Sequence, residues 1–313
     1  VKRKPNGEIA KYKARFIAKG YSQIEGEDYK DTFAPVARFS AIRYLLVLIA
    51  LLKLLARHID IVTAFLNGDL DKLILIEGPI GYTPAGHVCQ LLKALYGLKQ
   101  SARLWYLKFA KEIKAFGFTP LQCEPCVFVK FRGNTIVGLI TIYVDDAIIA
   151  VENEKQFEDI LRHLNSSFEV KNLGDISYYL GAEIFIDKEK GLVEIKQQKY
   201  MNEILTQFGM NQAAPTTTPI ANGFTVALSD ELFDDTTKYN MIVGKLMYLA
   251  LLTRPDLQYA VGLLCRGMSK PTVKHFQLAK RILRYIKGTK DRGLIYDLNK
   301  SFEVVGYCDT DFA

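Results

Sequence analysis

Cysteine is scarce in this 313-residue chain, and the five present form an odd set: Cys89, Cys123, Cys126, Cys265 and Cys308. So sparse a set excludes the disulfide framework of small secreted domains and points to a reducing compartment. Cys123-Glu124-Pro125-Cys126 has the spacing of half a zinc knuckle, but no second Cys/His pair lies near it in sequence. No apolar run reaches the length of a bilayer span. The longest candidate, residues 44–56, is interrupted by Lys53 and bracketed by Arg43 and Arg57, and reads as a buried core helix capped by Ser40. Val1-Lys2-Arg3-Lys4 is no signal peptide. Internal repeats are absent too, as is the strict strand–helix alternation of a parallel doubly wound sheet, which leaves an α+β arrangement.

What is present suits a sizeable core. The chain is 49% hydrophobic and 24% charged, enough for two compact units, and its net charge of +7 suits a polyanionic partner without demonstrating one. A basic hairpin is expected over 2–18 around Pro5-Asn6-Gly7, a helix over 41–56, and a strand from His58 to Val62. Further helices are expected near 101–115, 153–165, 198–208, 236–253, 256–268 and 272–287. Residues 211–235, rich in Thr, Pro, Ala and Asp, read as an exposed linker. The helix near 272–287 carries Lys274, Lys280, Arg281, Arg284 and Lys287, expected on one exposed side, as a solvated or nucleic-acid-binding face.

The densest chemical signal is Tyr143-Val144-Asp145-Asp146, set between two apolar runs that read as the strands of one hairpin. A carboxylate pair at the mouth of a core is costly unless a cation compensates it, and a divalent ion held by oxygen is the usual answer. Those four residues alone fit an acidic turn equally well. Asp60, in the apolar strand before Thr63-Ala64-Phe65-Leu66-Asn67-Gly68, is a third carboxylate of the kind two-metal nucleotidyl transfer draws from separate strands. Leu95-Tyr96-Gly97-Leu98-Lys99-Gln100 is a tight turn that runs into a helix bearing Arg103. Its glycine lets the backbone approach a base or sugar closely. Lys13 and Arg15 on the first hairpin have the chemistry for phosphate oxygens.

Taken in order, these segments resemble the reverse transcriptase of copia-type LTR retrotransposons. The series includes Tyr12-Lys13-Ala14-Arg15, Asp31-Thr32-Phe33-Ala34-Pro35-Val36, Asp60 with Ala64 to Gly68, Leu95 to Gln100 and Tyr143 to Asp146. It continues through Asn172-Leu173-Gly174, Tyr179-Leu180-Gly181 and Thr253-Arg254-Pro255-Asp256 to Gly306-Tyr307-Cys308-Asp309. The resemblance implies that Asp60, Asp145 and Asp146 are the catalytic carboxylates, with the Ile61 carbonyl completing a metal shell. It makes Phe65 the aromatic gate against a ribose 2′-OH, Lys13 and Arg15 the triphosphate ligands, and Tyr96 and Gly97 the turn against the nascent base pair. Lys171 falls where such polymerases carry a lysine that protonates pyrophosphate, and Tyr179-Leu180-Gly181 resembles the primer-grip strand. Lys99, Arg103 and the basic helix fall to nucleic acid, and Asp309 to a ribonuclease H remnant. The chain departs from the family at His58, where Gln is usual, at Ser101-Ala102, and over residues 71–76.

The resemblance implies a right-hand polymerase. Residues 1–190 would form fingers and palm, 191–298 a helical thumb or connection, and 299–313 the first strand of a truncated ribonuclease H domain. Both ends read as cut. Expected cofactors are two Mg²⁺ ions, with Mn²⁺ as a substitute, and expected partners an RNA or DNA template with primer, dNTPs and other parts of a Gag/Pol polyprotein, with no membrane. A cytoplasmic virus-like particle is the implied location, with room for a nuclear phase. The rival expectation is a decayed or co-opted fragment that binds nucleic acid without polymerising. A two-metal nucleotide cyclase on a similar palm is disfavoured by the Leu95 to Gln100 element.

Overall fold

The computed structural model describes residues 2–3, 8–12, 14–79, 81–84, 86–227, 229–300 and 305–308. The expectations for the Pro5-Asn6-Gly7 turn, Lys13 and Asp309 fall outside those residues. Strands β1 (Lys2–Arg3) and β2 (Ile9–Lys11) pair antiparallel, as expected of the first hairpin. Helix α1 (Phe39–Leu51) follows an irregular stretch. It is shorter than the expected 41–56 because Lys53 takes the left-handed conformation, φ 52°, and Leu55 already belongs to β3 (Leu55–Ile61). Ser40 lies inside its first turn, not before it. A small pair, β4 (Leu75–Ile76) and β5 (Cys89–Gln90), precedes α2 (Ser101–Lys114). Then come β6 (Thr119–Pro120), β7 (Val127–Arg132), β8 (Thr135–Tyr143), β9 (Asp146–Val151), α3 (Glu154–Ser167) and β10 (Val170–Asp175). The remainder is β11 (Tyr178–Tyr179), β12 (Ala182–Asp187), β13 (Leu192–Lys196), α4 (Gln198–Gln207), α5 (Thr236–Leu252), α6 (Gln258–Arg266), α7 (Val273–Gly288) and β14 (Leu294–Asp297). Helices and antiparallel strand pairs without βα alternation place the chain in the mixed class that its sequence suggests.

Residues 1–38 and 54–174 form the first of two compact units. Its sheet has the order β10-β3-β9-β8-β7-β6, with β8 and β9 as antiparallel neighbours in the middle. Their continuous apolar runs are buried: Ile140, Ile142, Ala147 and Ile149 are all in the core. Helix α2 meets the sheet through Phe109 edge-on to Phe128 of β7, ring centroids 6.1 Å apart. Helix α3 packs against β9 and buries Phe157, Ile160 and Leu164, one stripe at helical spacing. Each such side chain stabilises the fold by roughly 1.5–3 kcal/mol. Asn153 caps α3 by accepting from the Gln156 N–H at 3.0 Å.

The second unit comprises residues 39–53 and 175–313. Its sheet runs β11-β12-β13-β14, and α4 to α7 enclose a core that includes Met201, Leu205, Leu246, Leu264 and Ile282. This division differs from the expected 1–190 in two ways. The boundary falls at 174/175, and α1 joins the later part of the chain because its neighbours are β13 and α5. Arg254 is buried at the centre of a network in this unit. It makes a forked pair with Asp256 (3.0 and 2.8 Å) and donates to the Thr289 carbonyl and hydroxyl (3.0 and 2.8 Å). Among their described residues, 211–235 contain no helix or extended strand, yet they are docked. Phe233 donates its N–H to the Pro271 carbonyl at 2.8 Å and stacks on Phe276 with centroids 4.0 Å apart. Among the described residues, no helix is long and apolar enough to cross a membrane.

Candidate active site

The site is assembled at one end of β3, β9 and β8, in the first unit. Asp60 and Asp146 are cross-strand partners in the β3–β9 register, and Tyr143 and Asp146 close the β8–β9 ladder. Directly opposed residues of an antiparallel pair share a face, with Cβ atoms roughly 4.5–5.5 Å apart. Two carboxylates from strands distant in sequence are thus brought side by side. Val144 and Asp145 make the turn between β8 and β9, and the Asp145 carbonyl accepts from the Ile61 N–H at 2.8 Å, which ties the turn to the end of β3. Val144 sits at φ 60°, in the left-handed region that a β-branched residue avoids. The indole of Trp105, the chain's one tryptophan, donates to the Val144 carbonyl at 2.6 Å and braces the strained turn. His58, two residues before Asp60 on the same strand, places Nε2 3.0 Å from Oδ1 of Asp146.

Tyr96, Phe65 and Arg15 stand around this end. Thr63 turns the chain after β3 at φ 52°, and the short helical turn Ala64–Asn67 presents Phe65, whose ring lies 4.7 Å from that of Tyr96. The Arg15 guanidinium lies 5.9 Å from the centre of the Tyr96 ring. Burial foremost, then the nearby charge of Asp145 with a lesser push from Asp60, raises the Tyr96 phenol; Arg15 opposes them. The hydroxyl therefore stays protonated as a donor at neutral pH. Gly97, at φ +97°, allows this packing: a Cβ there would overlap the Ala18 carbonyl. The Ala18 N–H in turn donates to the Tyr96 carbonyl at 2.8 Å. Gln23 locks the same turn, accepting from the Lys99 N–H at 2.8 Å and donating to Gln100 Oε1 at 3.0 Å.

The remaining expected residues are placed variously. Lys171 is exposed on β10, beside β3, and the Val62 N–H donates to the Glu169 carbonyl just before it. Lys99 donates to the Tyr29 hydroxyl at 3.1 Å, and Arg103 pairs with Asp31 at 3.2 Å, so both hold the 23–33 segment against α2. The basic side of α7 is less open than its spacing suggests. Arg284 and Lys287 donate to the carbonyls of Ala214 (2.6 Å) and Ala213 (2.8 Å), Arg281 to Thr218 (2.9 Å), and Lys274 pairs with Asp230 (2.8 Å). Residues 213–218 thus lie along α7 as a strap; Lys280 is exposed, its ammonium 4.7 Å from the Phe276 ring centre. Sequence reasoning missed the roles of His58, Trp105 and Gln23. Only His58 left a signal, the two-residue period that puts it on the face of Asp60.

Among the described residues, no group of three or more His, Cys, Asp or Glu side chains is arranged to hold a metal ion. The donor set nevertheless suits Mg²⁺. That ion is bound through one or two carboxylates plus substrate phosphates, not in an all-protein cage, and hard oxygens from Asp60 and Asp146 on one face are of that kind.

A family model described as reverse transcriptase (RNA-dependent DNA polymerase) matches residues 1–222. The chain belongs to this family. The retrovirus-related Pol polyprotein from transposon TNT 1-94 of Nicotiana tabacum is 35% identical over 326 residues, 100% of this chain and 24% of the polyprotein. That from transposon RE1 of Arabidopsis thaliana is 36% identical over 312 residues, 98% of this chain and 21% of the polyprotein. A putative transposon Ty5-1 protein of Saccharomyces cerevisiae is 30% identical over 260 residues, 80% of this chain and 82% of that protein. The resemblance to copia-type reverse transcriptases read from the motifs is borne out. The chain spans about a quarter or less of the plant polyproteins it matches. Reverse transcriptase domains of this family use divalent metals such as Mg²⁺.

Proposed function

We propose that the chain is the polymerising core of a copia-type Pol polyprotein and adds deoxynucleotides to a primer 3′-OH on an RNA or DNA template. The observation that carries this reading is Asp60 opposite Asp146 with Asp145 in the adjoining turn, walled by Tyr96, Phe65 and Arg15. Asp60 and Asp145, with the Ile61 carbonyl, would hold two Mg²⁺ ions, and Asp146 would support one of them. When bound, such ions neutralise charge developing on the attacking and leaving oxygens.

The chain's own part is positioning. Arg15, with Lys13 in the same segment, would bind the triphosphate. Phe65 would stand where a 2′-OH would project, the Tyr96-Gly97 turn would seat the base and sugar, and Lys171 would supply a proton to pyrophosphate. The first unit would be fingers and palm, the helices of the second a thumb or connection, and residues after 298 the start of a ribonuclease H domain. Lys99, Arg103 and the cations of α7 would take template and primer phosphates, with Arg284 and Lys287 giving up their bonds to the strap. Other Gag/Pol parts would be its neighbours in a cytoplasmic particle, with a nuclear phase to follow.

Primer extension on an RNA template, with Mg²⁺ and with chelator, tests the reading. Asp145→Asn should lower extension by more than about a hundredfold. Its unfolding midpoint should be unchanged or raised, since one of several like charges is gone. Undiminished Mg²⁺-dependent extension by this variant would refute the assignment. A parent chain that binds primer–template but never extends it would leave a co-opted binding fragment.

A further inference from the structure

Asp146 has a partner that polymerisation as described above does not employ. The imidazole of His58 reaches Oδ1 of Asp146 at 3.0 Å, across the β3–β9 ladder. In the register Asp60 faces Asp146 and His58 faces Ile148, so this is a diagonal contact on the face the carboxylates occupy. Its surroundings suit a fixed contact. The His58 side chain is only 12% exposed and that of Asp146 33%. Ile59 and Ile61, which alternate with His58 and Asp60 along the strand, are buried, so the backbone beneath is anchored in the core.

We infer that His58 is a positioning residue for nucleotidyl transfer, holding the Asp146 carboxylate in place through an Nε2–H hydrogen bond. An ionised carboxylate only accepts, so the proton of this bond belongs to His58 Nε2, and the carboxylate selects that tautomer. The bond commits Oδ1 of Asp146 to the protein. This divides the three carboxylates: Asp60 and Asp145 would be left to hold the metals, while Asp146 is oriented by the imidazole. Hydrogen bonds to metal-ligating side chains fix their orientation, and losing one typically costs about 10- to 100-fold in metal affinity or activity. The inference rests on the polymerase reading for its consequence, but the bond itself can be tested without turnover.

The test uses the full chain with His58→Leu, His58→Gln and Asp146→Asn. Leu keeps much of the volume and lacks a donor; Gln offers an amide N–H at similar reach. His58→Leu should lower kcat for primer extension about 10- to 100-fold with KM for dNTP and primer affinity little changed, and His58→Gln should recover most of that loss. Mn²⁺ binding, read by electron paramagnetic resonance, should weaken in the Leu variant and recover in the Gln variant. Nitrogen-15 NMR should find His58 held as the Nε2–H tautomer in the parent and as a tautomer mixture in Asp146→Asn. Parent-like kcat and Mn²⁺ affinity in a folded His58→Leu would overturn the inference, as would a His58→Gln variant as damaged as His58→Leu, or a His58 tautomer indifferent to Asp146→Asn. If the parent itself fails to extend primers, the polymerase reading falls alone, because the tautomer and Mn²⁺ results judge the bond separately.

Discussion

At the residue scale, the candidate site depends on side chains held by the backbone they grow from. Phe65 is half-buried on a short helical turn that Thr63 launches from a left-handed conformation, and its ring is fixed against Tyr96. In the proposed reading, a ring so braced would stand against a ribose hydroxyl. Phe65→Val should raise ribonucleotide relative to deoxynucleotide incorporation by about tenfold or more, measured in competitive primer extension. An active variant with unchanged discrimination would return Phe65 to a packing role. Val144 shows the same logic in the backbone. Its positive φ costs roughly 1–3 kcal/mol, and such strain persists only where surroundings over-determine it, here the Trp105 indole and the Ile61–Asp145 bond.

At the scale of elements, ion pairs and buried networks tie loops to helices. Asp69 is bonded by Lys93 and by Lys108 of α2 (2.9 Å), and these two hydrogen bonds hold its carboxyl at about 2, below the ordinary 3.8. A depressed carboxyl contributes stability that is present above its unfolded pKa and is lost as pH falls through the folded one. Asp69 is largely exposed, so screening limits its contribution to about 1 kcal/mol or less. Asp69→Asn should therefore lower the melting temperature slightly at pH near 6, and the gap to the parent should close as pH falls from about 4 towards 2. A gap that ignores pH would mean the charge is idle. Arg254 is the stronger case: its side chain is 2% exposed and joins Asp256 to Thr289, at the C-terminal end of α7. Arg254→Ala should cost about 3 kcal/mol in urea unfolding, because it empties a buried site and leaves the Thr289 carbonyl and hydroxyl without their donor. A loss under about 1 kcal/mol would show that water replaces the guanidinium readily.

At the scale of the whole molecule, the proposed polymerase role together with a net charge of +7 predicts nucleic-acid binding that weakens as salt rises. Arg281→Ala with Arg284→Ala should reduce affinity at low salt and flatten the slope of log affinity against log salt by about 1–2, measured by fluorescence anisotropy on unrelated sequences. An equal loss at every salt concentration would mean that these side chains serve the 213–218 strap alone. Much of the fold is legible in the order of the residues. The runs flanking Asp145-Asp146 have strand composition, and α2, α4 and α5 lie within a residue or two of where their periodicity puts them, because period and composition are local. Candidate chemistry is legible too, since carboxylates beside apolar runs need a reason to be there. Illegible are the features that need two distant segments at once. The placement of α1 with β13 and α5, the strap along α7, and the commitment of Lys99 and Arg103 to the 23–33 segment are examples. The order of residues suffices for the family, for most of the elements and for naming three candidate carboxylates. Only the tertiary structure decided that Asp60 stands opposite Asp146 with His58 bonded to it. Strand register is set by how whole faces bury against one another, and a slip of one residue in β3 would have turned Asp60 and His58 to the face opposite Asp146.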